Sequence, residues 1–212
     1  MVLEPPPVFT WTGLYVGGNI GGAWGSGTLT DQATNLSFTT DQNGFIGGGQ
    51  VGFNYQINQF VLGVEGDFSW SGINGGTTIS PTIAAPLGST FNTDVNWVST
   101  LTGRAGLAFD RWLVYAKGGV AWANDSFSTN RYTLPATVEV KDTRVGWTVG
   151  AGVEYAFAPA WSAKLEYNYM DFGSRAVSFA PGTSTDIDQQ IHAVKLGVNY
   201  KFGFPGLVNA RY

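Results

Sequence analysis

The chain has 212 residues, the size of one barrel or sandwich domain, and only 12% of them are charged, about half the roughly 25% of soluble domains. So little charge cannot cover a water-facing surface, and together with 15% aromatics and 30 glycines it suits a wall that faces lipid. A net charge of −4 and a pI near 4.8 exclude the basic face that nucleic acid requires, and the absence of cysteine excludes disulfides and thiolate chemistry.

The opening Met1-Val2-Leu3-Glu4 has neither the basic start nor the apolar run of a signal peptide, so the sequence reads as a mature or trimmed chain whose leader was removed. A Pro-rich segment over residues 1–10, with Pro5-Pro6-Pro7, comes first. No run reaches the roughly 18 apolar residues of a membrane-crossing helix. From residue 11 the dominant pattern is alternation with period two, which marks strands with two unlike faces. Between Phe60 and Trp70, for example, Phe60, Leu62, Val64, Gly66, Phe68 and Trp70 share one face, and Val61, Gly63, Glu65, Asp67 and Ser69 the other.

The alternation predicts eight strands, at roughly 11–24, 44–57, 59–71, 95–110, 111–124, 143–157, 160–172 and 190–202, followed by a tail over 203–212. The links at Gln56-Ile57-Asn58-Gln59, Asp110-Arg111 and Ala158-Pro159 are short. Those around 25–43, 72–94, 125–142 and 173–189 are long and rich in Thr, Ser, Asn, Asp and Gly. Strict alternation of short and long links is the plan of an outer-membrane barrel, with short periplasmic turns, longer extracellular loops and both termini periplasmic. The predicted fold is therefore all-β, an eight-stranded antiparallel up-and-down transmembrane β-barrel.

A soluble eight-stranded barrel also alternates, but with its apolar face inside. The charges separate the two. Glu65, Asp67, Arg104, Lys117, Arg144, Glu154, Lys164, Glu166, Lys195 and Lys201 all fall opposite the bulky apolar set, among mainly Gly, Ser, Thr, Ala, Asn and Gln. Such residues fit a lumen that eight strands leave just wide enough for side chains. The first nine are expected to form an interior charge network, with Glu65 and Asp67 near Arg104, and Glu154 and Glu166 near Arg144 and Lys164. The other face repeats aromatics ten residues apart: Phe60 and Trp70, Trp112 and Trp122, Trp147 and Phe157. Ten residues on a tilted strand rise roughly 25 Å, the height of the apolar band between two aromatic girdles.

Several stretches resemble one family. Trp11-Thr12-Gly13-Leu14-Tyr15-Val16-Gly17-Gly18-Asn19 is similar to the first strand of the alphaproteobacterial porin-family, opacity-like (OmpA-like) outer-membrane proteins. Gly44 to Gln50, Gly63 to Asp67, Gly118 to Ala121, Gly150 to Tyr155 and Glu166 to Gly173 extend the resemblance across residues 11–202. It implies a surface protein of a Gram-negative outer membrane that supports envelope integrity and meets host surfaces. Outer-membrane lipids and lipopolysaccharide are its expected partners, and association into a homo-oligomer is left open. Some relatives are tethered to peptidoglycan through the N-terminus, bind haem or show weak pore activity. Barrel assembly signals normally end on an aromatic, and both Phe202 and Tyr212 offer one.

Other motifs carry less. Gly47-Gly48-Gly49-Gln50-Val51-Gly52 fits a dinucleotide fingerprint in letters, but no helical period follows it, and small close-packed strand positions explain it. His192, the only histidine, has no serine nearby on its strand and reads as an interfacial residue at the extracellular rim; for a haem or ligand-binding surface it is the only evident nitrogen ligand, and the spacing gives that no support. The loop acids Asp31, Asp41, Asp125, Glu139, Asp142, Asp186 and Asp188 outnumber Arg131, Lys141 and Arg175, which suits divalent bridges to lipopolysaccharide or a solvated loop. Ile73, Ile79, Ile83 and Leu87 make the 72–94 link apolar, suited to a partner or to folding over the barrel mouth. No cofactor and no catalytic set is expected. The expected function is structural, and the alternative is a narrow channel for ions or small solutes.

Overall fold

A computed structural model describes residues 9–31, 37–78, 90–130, 138–180 and 183–202, with side chains described over 9–25, 43–73, 95–124, 143–173 and 190–202. The Pro-rich start through residue 8 and the tail from 203 lie outside the described residues, as do Arg131, Ile79, Ile83 and Leu87. Of the other loop acids and bases named above, only the backbone is described.

Eight strands form a closed barrel in chain order: β1 (Gly13–Asp31), β2 (Ser37–Ile57), β3 (Phe60–Thr78), β4 (Thr90–Phe109), β5 (Trp112–Asn130), β6 (Val138–Ala158), β7 (Trp161–Ala180) and β8 (Thr183–Lys201). Each pairs antiparallel with the next, and β8 closes on β1 from Tyr15↔Lys201 to Asp31↔Thr185. Closure leaves no edge with unpaired backbone groups, a condition for crossing lipid with strands. Two of the short links turn on Asn58 and Asp110, both at positive φ (55° and 54°), a region that Asn and Asp tolerate better than most residues.

The strands run 19 to 21 residues, well past the predicted ends, so much of what was expected as long loops is paired backbone. The Thr-, Ser- and Asn-rich stretches there keep the ladder: Thr28 faces Thr39, and Thr77 faces Phe91. Continued pairing satisfies backbone groups that a polar loop would leave to water. The strands therefore project as paired hairpins well beyond a band of about 25 Å.

The wall divides by parity. Outward, Val16, Ile20, Val51, Leu62, Val64, Leu101, Val114 and Leu165 form an exposed aliphatic band. Inward side chains are buried, and they form three layers. Nearest the short links lies an apolar group of Trp11, Val61, Ala108, Leu113, Tyr115 and Ala156, with Phe9 against it. Farthest from them lies a second, which includes Ile46, Ile73, Val95, Val98, Met170, Phe172 and Ile191. Charged and amide side chains fill the space between.

The second apolar layer corrects two expectations. Ile73, expected in the 72–94 link, exposed to a partner or folded over the mouth, is only 2% exposed and points into the lumen because β3 continues through it. Val95 also turns inward: a bulge shifts the register at Asn96, between Val95↔Asp125 and Trp97↔Asn124, and one extra residue reverses the parity of the strand beyond it. The interior is thus not polar throughout.

Candidate functional site

The lumen network is built from alternate residues of all eight strands. Arg104 on β4 sits at its centre. Its guanidinium donates to Glu154 Oε2 on β6 at 2.9 Å and to the Tyr15 hydroxyl on β1 at 2.9 Å, and lies 3.6 Å from Glu65. Its carbon centre stands 3.9 Å over the Tyr115 ring, a cation–π contact in a desolvated place. Glu65 also takes Lys164 at 2.9 Å, Lys117 at 3.1 Å and the Tyr15 hydroxyl at 2.8 Å. Glu166 takes Lys117 at 2.6 Å, Lys164 at 3.4 Å, the Tyr115 hydroxyl at 2.8 Å and Asn168 at 2.7 Å.

A second group lies toward the upper apolar layer. Asp67 binds Lys195 at 2.7 Å and accepts from Asn19 and Ser69. Amides join the two groups: Asn19 donates to Gln50 at 2.6 Å, Gln50 to Asn199 at 2.7 Å, and Asn199 to Glu154 at 2.8 Å. Four carboxylates (Glu65, Asp67, Glu154, Glu166) thus meet four cations (Arg104, Lys117, Lys164, Lys195) in one connected network, all at 6% exposure or less. Charges removed from water are tolerable only when paired and hydrogen-bonded in this way.

The partners differ in part from those expected. Asp67 pairs with Lys195 across the lumen rather than with Arg104, and Glu154 pairs with Arg104 rather than with Arg144. The reason is width. In so narrow a lumen, long side chains reach strands opposite, so neighbours along the sheet need not be partners. Arg144 is buried too, but it faces Ala123 beside the upper apolar layer, ten residues along the strand from Glu154. Lys201 is half-buried at the end with short links, where it donates to the Thr10 carbonyl.

Missed in the sequence was a twofold echo. Tyr15 and Tyr115 stand a hundred residues apart, as do Gly52 and Gly152, and Glu65 and Glu166 are one residue farther apart than that. In both halves the tyrosine lies across a glycine of the next strand and donates to the glutamate at 2.8 Å. A Cβ at Gly52 would come within 2.3 Å of the Tyr15 hydroxyl, and one at Gly152 within 2.6 Å of that of Tyr115, so these two positions require glycine. Spacing was the available signal. Arg104 has no counterpart and lies between the two tyrosines.

On the outer wall Phe60, Trp70, Trp112, Trp147 and Phe157 are half or more exposed, while Trp122 is partly covered on the same face. The ten-residue spacing did not reveal other members of the two aromatic levels: Trp161 packs on Tyr200 below, and Phe68 on Trp97 above. His192 belongs to the upper level. It stacks on Trp24 at 5.9 Å and bonds the Tyr167 hydroxyl through Nδ1 at 2.7 Å.

A closed lumen inside an aliphatic wall banded by aromatics is the design of a membrane barrel. Residues 8–202 match the model of the outer membrane protein β-barrel domain. The chain belongs to this outer-membrane β-barrel family. Among relatives, it is 33% identical to the 31 kDa outer-membrane immunogenic protein of Brucella melitensis over 93% of this chain and 86% of that protein. It is 31% identical to the 22 kDa outer membrane protein of Rhizobium leguminosarum over 92% and 80%. The structure of OprG from Pseudomonas aeruginosa is similar in fold, with a TM-score of 0.55 at 12% identity over 92% of this chain and 99% of that one. This outer-membrane barrel therefore resides in the outer membrane of a Gram-negative bacterium, and by the plan of such barrels its short links mark the periplasmic end.

Proposed function

We propose that this barrel is a sealed, non-conducting structural element that presents its projecting hairpins to lipopolysaccharide and to surfaces outside the cell. The observation that carries this reading is the lumen's filling. A balanced network of buried charges lies between two apolar layers, and each of the eight residues meets a partner of opposite charge at 3.6 Å or less. An ion entering would have to cross an apolar layer and then break pairs that have no water to replace them. The Brucella relative is named as immunogenic, which suits exposed hairpins in that protein and supports the same role for them here.

Reconstitution into a planar bilayer at high salt, with folding checked by heat-modifiable mobility, tests the reading. Folded protein is expected to pass no current. Reproducible single-channel steps would replace it with the narrow-channel reading and make the Arg104 cluster its constriction.

A further inference from the structure

At the periplasmic mouth the strands supply Val61, Ala108, Leu113, Tyr115 and Ala156 to the lower apolar layer. The residues that precede the strands, Phe9 and Trp11, complete it. Trp11 lies before β1, yet it is 3% exposed and packs within the lower apolar layer, edge-on to Phe9 at 5.1 Å. Its own backbone N–H donates to the Gln56 side chain at 2.8 Å, and the Gln56 N–H returns to the Thr12 hydroxyl at 2.9 Å. Lys201, at the end of β8, straps the segment from outside: its ammonium donates to the Thr10 carbonyl and stands 4.2 Å over the Phe9 ring.

The seat is imperfect. Trp11 Nε1 and Asn54 Oδ1 are both buried without a protein partner, and both residues line the cleft beside the segment. Glu154 and Ser162 line the same cleft, so it reaches the Arg104 cluster. A buried donor or acceptor with no partner costs free energy that an open mouth would recover through water.

We propose that Phe9 to Trp11 form a removable stopper, and that its withdrawal opens a blind charged vestibule to the periplasm, floored by the Glu154–Arg104 pair. The vestibule is blind because the upper apolar layer of Ile46, Ile73, Met170, Phe172 and Ile191 is built wholly from strands and stays in place. The inference rests on the sealed-lumen reading at that upper end only. It assigns the periplasmic end a state that small polar solutes could enter, without making the barrel a pore.

The chain has no cysteine, so single reporters are clean. In refolded protein, Ser162→Cys reports the vestibule and Ser69→Cys the space beneath the upper layer, with labelling by a methanethiosulfonate reagent that carries an ammonium group. Labelling of Ser162→Cys is expected to be slow, and to quicken more than about tenfold when Trp11→Ala is added. Lys201→Met, which releases the strap but keeps the ring, gives a smaller rise. Ser69→Cys stays protected in all backgrounds, and Trp11→Ala passes no current in a bilayer. Rapid labelling without Trp11→Ala, or an unchanged rate in folded Trp11→Ala and Lys201→Met, overturns the stopper. Should Trp11→Ala fail to fold, the Lys201→Met rate decides alone. Current through Trp11→Ala but not through the parent overturns the blind end, whereas current through the parent overturns the sealed-lumen reading itself.

Discussion

Arg104→Ala removes the side chain that touches both Tyr15 and Tyr115 and pairs with Glu154. Its loss is not shared equally. Glu65 keeps Lys164, Lys117 and the Tyr15 hydroxyl, so its charge remains compensated. Glu154 keeps only neutral donors, Ser162 at 2.5 Å and Asn199 at 2.8 Å, and becomes a buried carboxylate without a cation. Breaking a buried pair from one side typically costs about 3–5 kcal/mol. The Tyr115 ring also loses its cation, worth about 0.5–2 kcal/mol more, although such costs overlap where partners are shared. Urea unfolding in lipid vesicles, followed by tryptophan emission and heat-modifiable mobility, reads the change. Arg111→Ala, exposed in the β4–β5 link, is the control and should stay within about 0.5 kcal/mol of the parent. Arg104→Met with Glu154→Gln should recover much of the loss, because no charge is then stranded. Equal midpoints for Arg104→Ala and Arg111→Ala, or a double variant no better than Arg104→Met, would refute the account of a charge-compensated lumen.

Gly52→Ala should cost about 1–3 kcal/mol by overpacking, since the Tyr15 hydroxyl it would strike is held by Glu65 and Arg104. Gly118→Ala, whose new Cβ meets nothing nearer than 3.5 Å, should be close to neutral in the same urea titration, and a reversed order would discredit the packing. Val64→Arg, midway between the aromatic levels on β3, should cost about 2–4 kcal/mol in vesicles, against about 0–1 for Trp112→Arg at the lower level. Equal costs would mean that the wall does not face hydrocarbon. Replacing Glu65, Glu166, Lys117 and Lys164 together by Leu and Met should leave the midpoint unchanged or raise it by about 1–4 kcal/mol. Refolding should nevertheless yield more than one heat-modifiable species, and a single species formed at the parent's rate would remove any role of these charges in register.

Strand number, the closed antiparallel order and the inward face were legible because they rest on parity, and parity is local. Phe60 to Trp70 alone assigns both faces of β3. What parity could not supply was anything set across the lumen. Asp67 meets Lys195, a residue far along the chain, because the barrel curves the two strands toward each other and not because of any pattern within either. The strand ends were misjudged for a related reason. Composition near residues 26–42 is that of a loop, and only the opposite strand, supplying Thr39 to Thr28 or Thr40 to Gly27, turns it into sheet. Trp11 looked like the start of a strand. Its role in the mouth depends on Gln56 and Lys201, which no local pattern joins to it.

The charges therefore do something that their contribution to stability does not explain. Buried ion pairs add little over well-packed apolar residues of the same size, and an apolar lumen would pack readily between layers that are already apolar. A barrel with an aliphatic wall and an aliphatic lumen, however, has no preferred inside. A slip of one residue in any strand exchanges its faces, and between two apolar faces that slip would cost little. With Glu65 and Asp67 on β3, the same slip would place two carboxylates in hydrocarbon. Comparable penalties guard β4 through Arg104, β5 through Lys117, β6 through Glu154, β7 through Lys164 and Glu166, and β8 through Lys195. β1 and β2 carry no charge in the described lumen, and there Asn19, Gln50 and Asn54, each under 5% exposed, take the part of the charges. Every strand thus carries at least one side chain that lipid rejects. The network is best understood as the element that makes one register the answer, with the sealed lumen as its consequence.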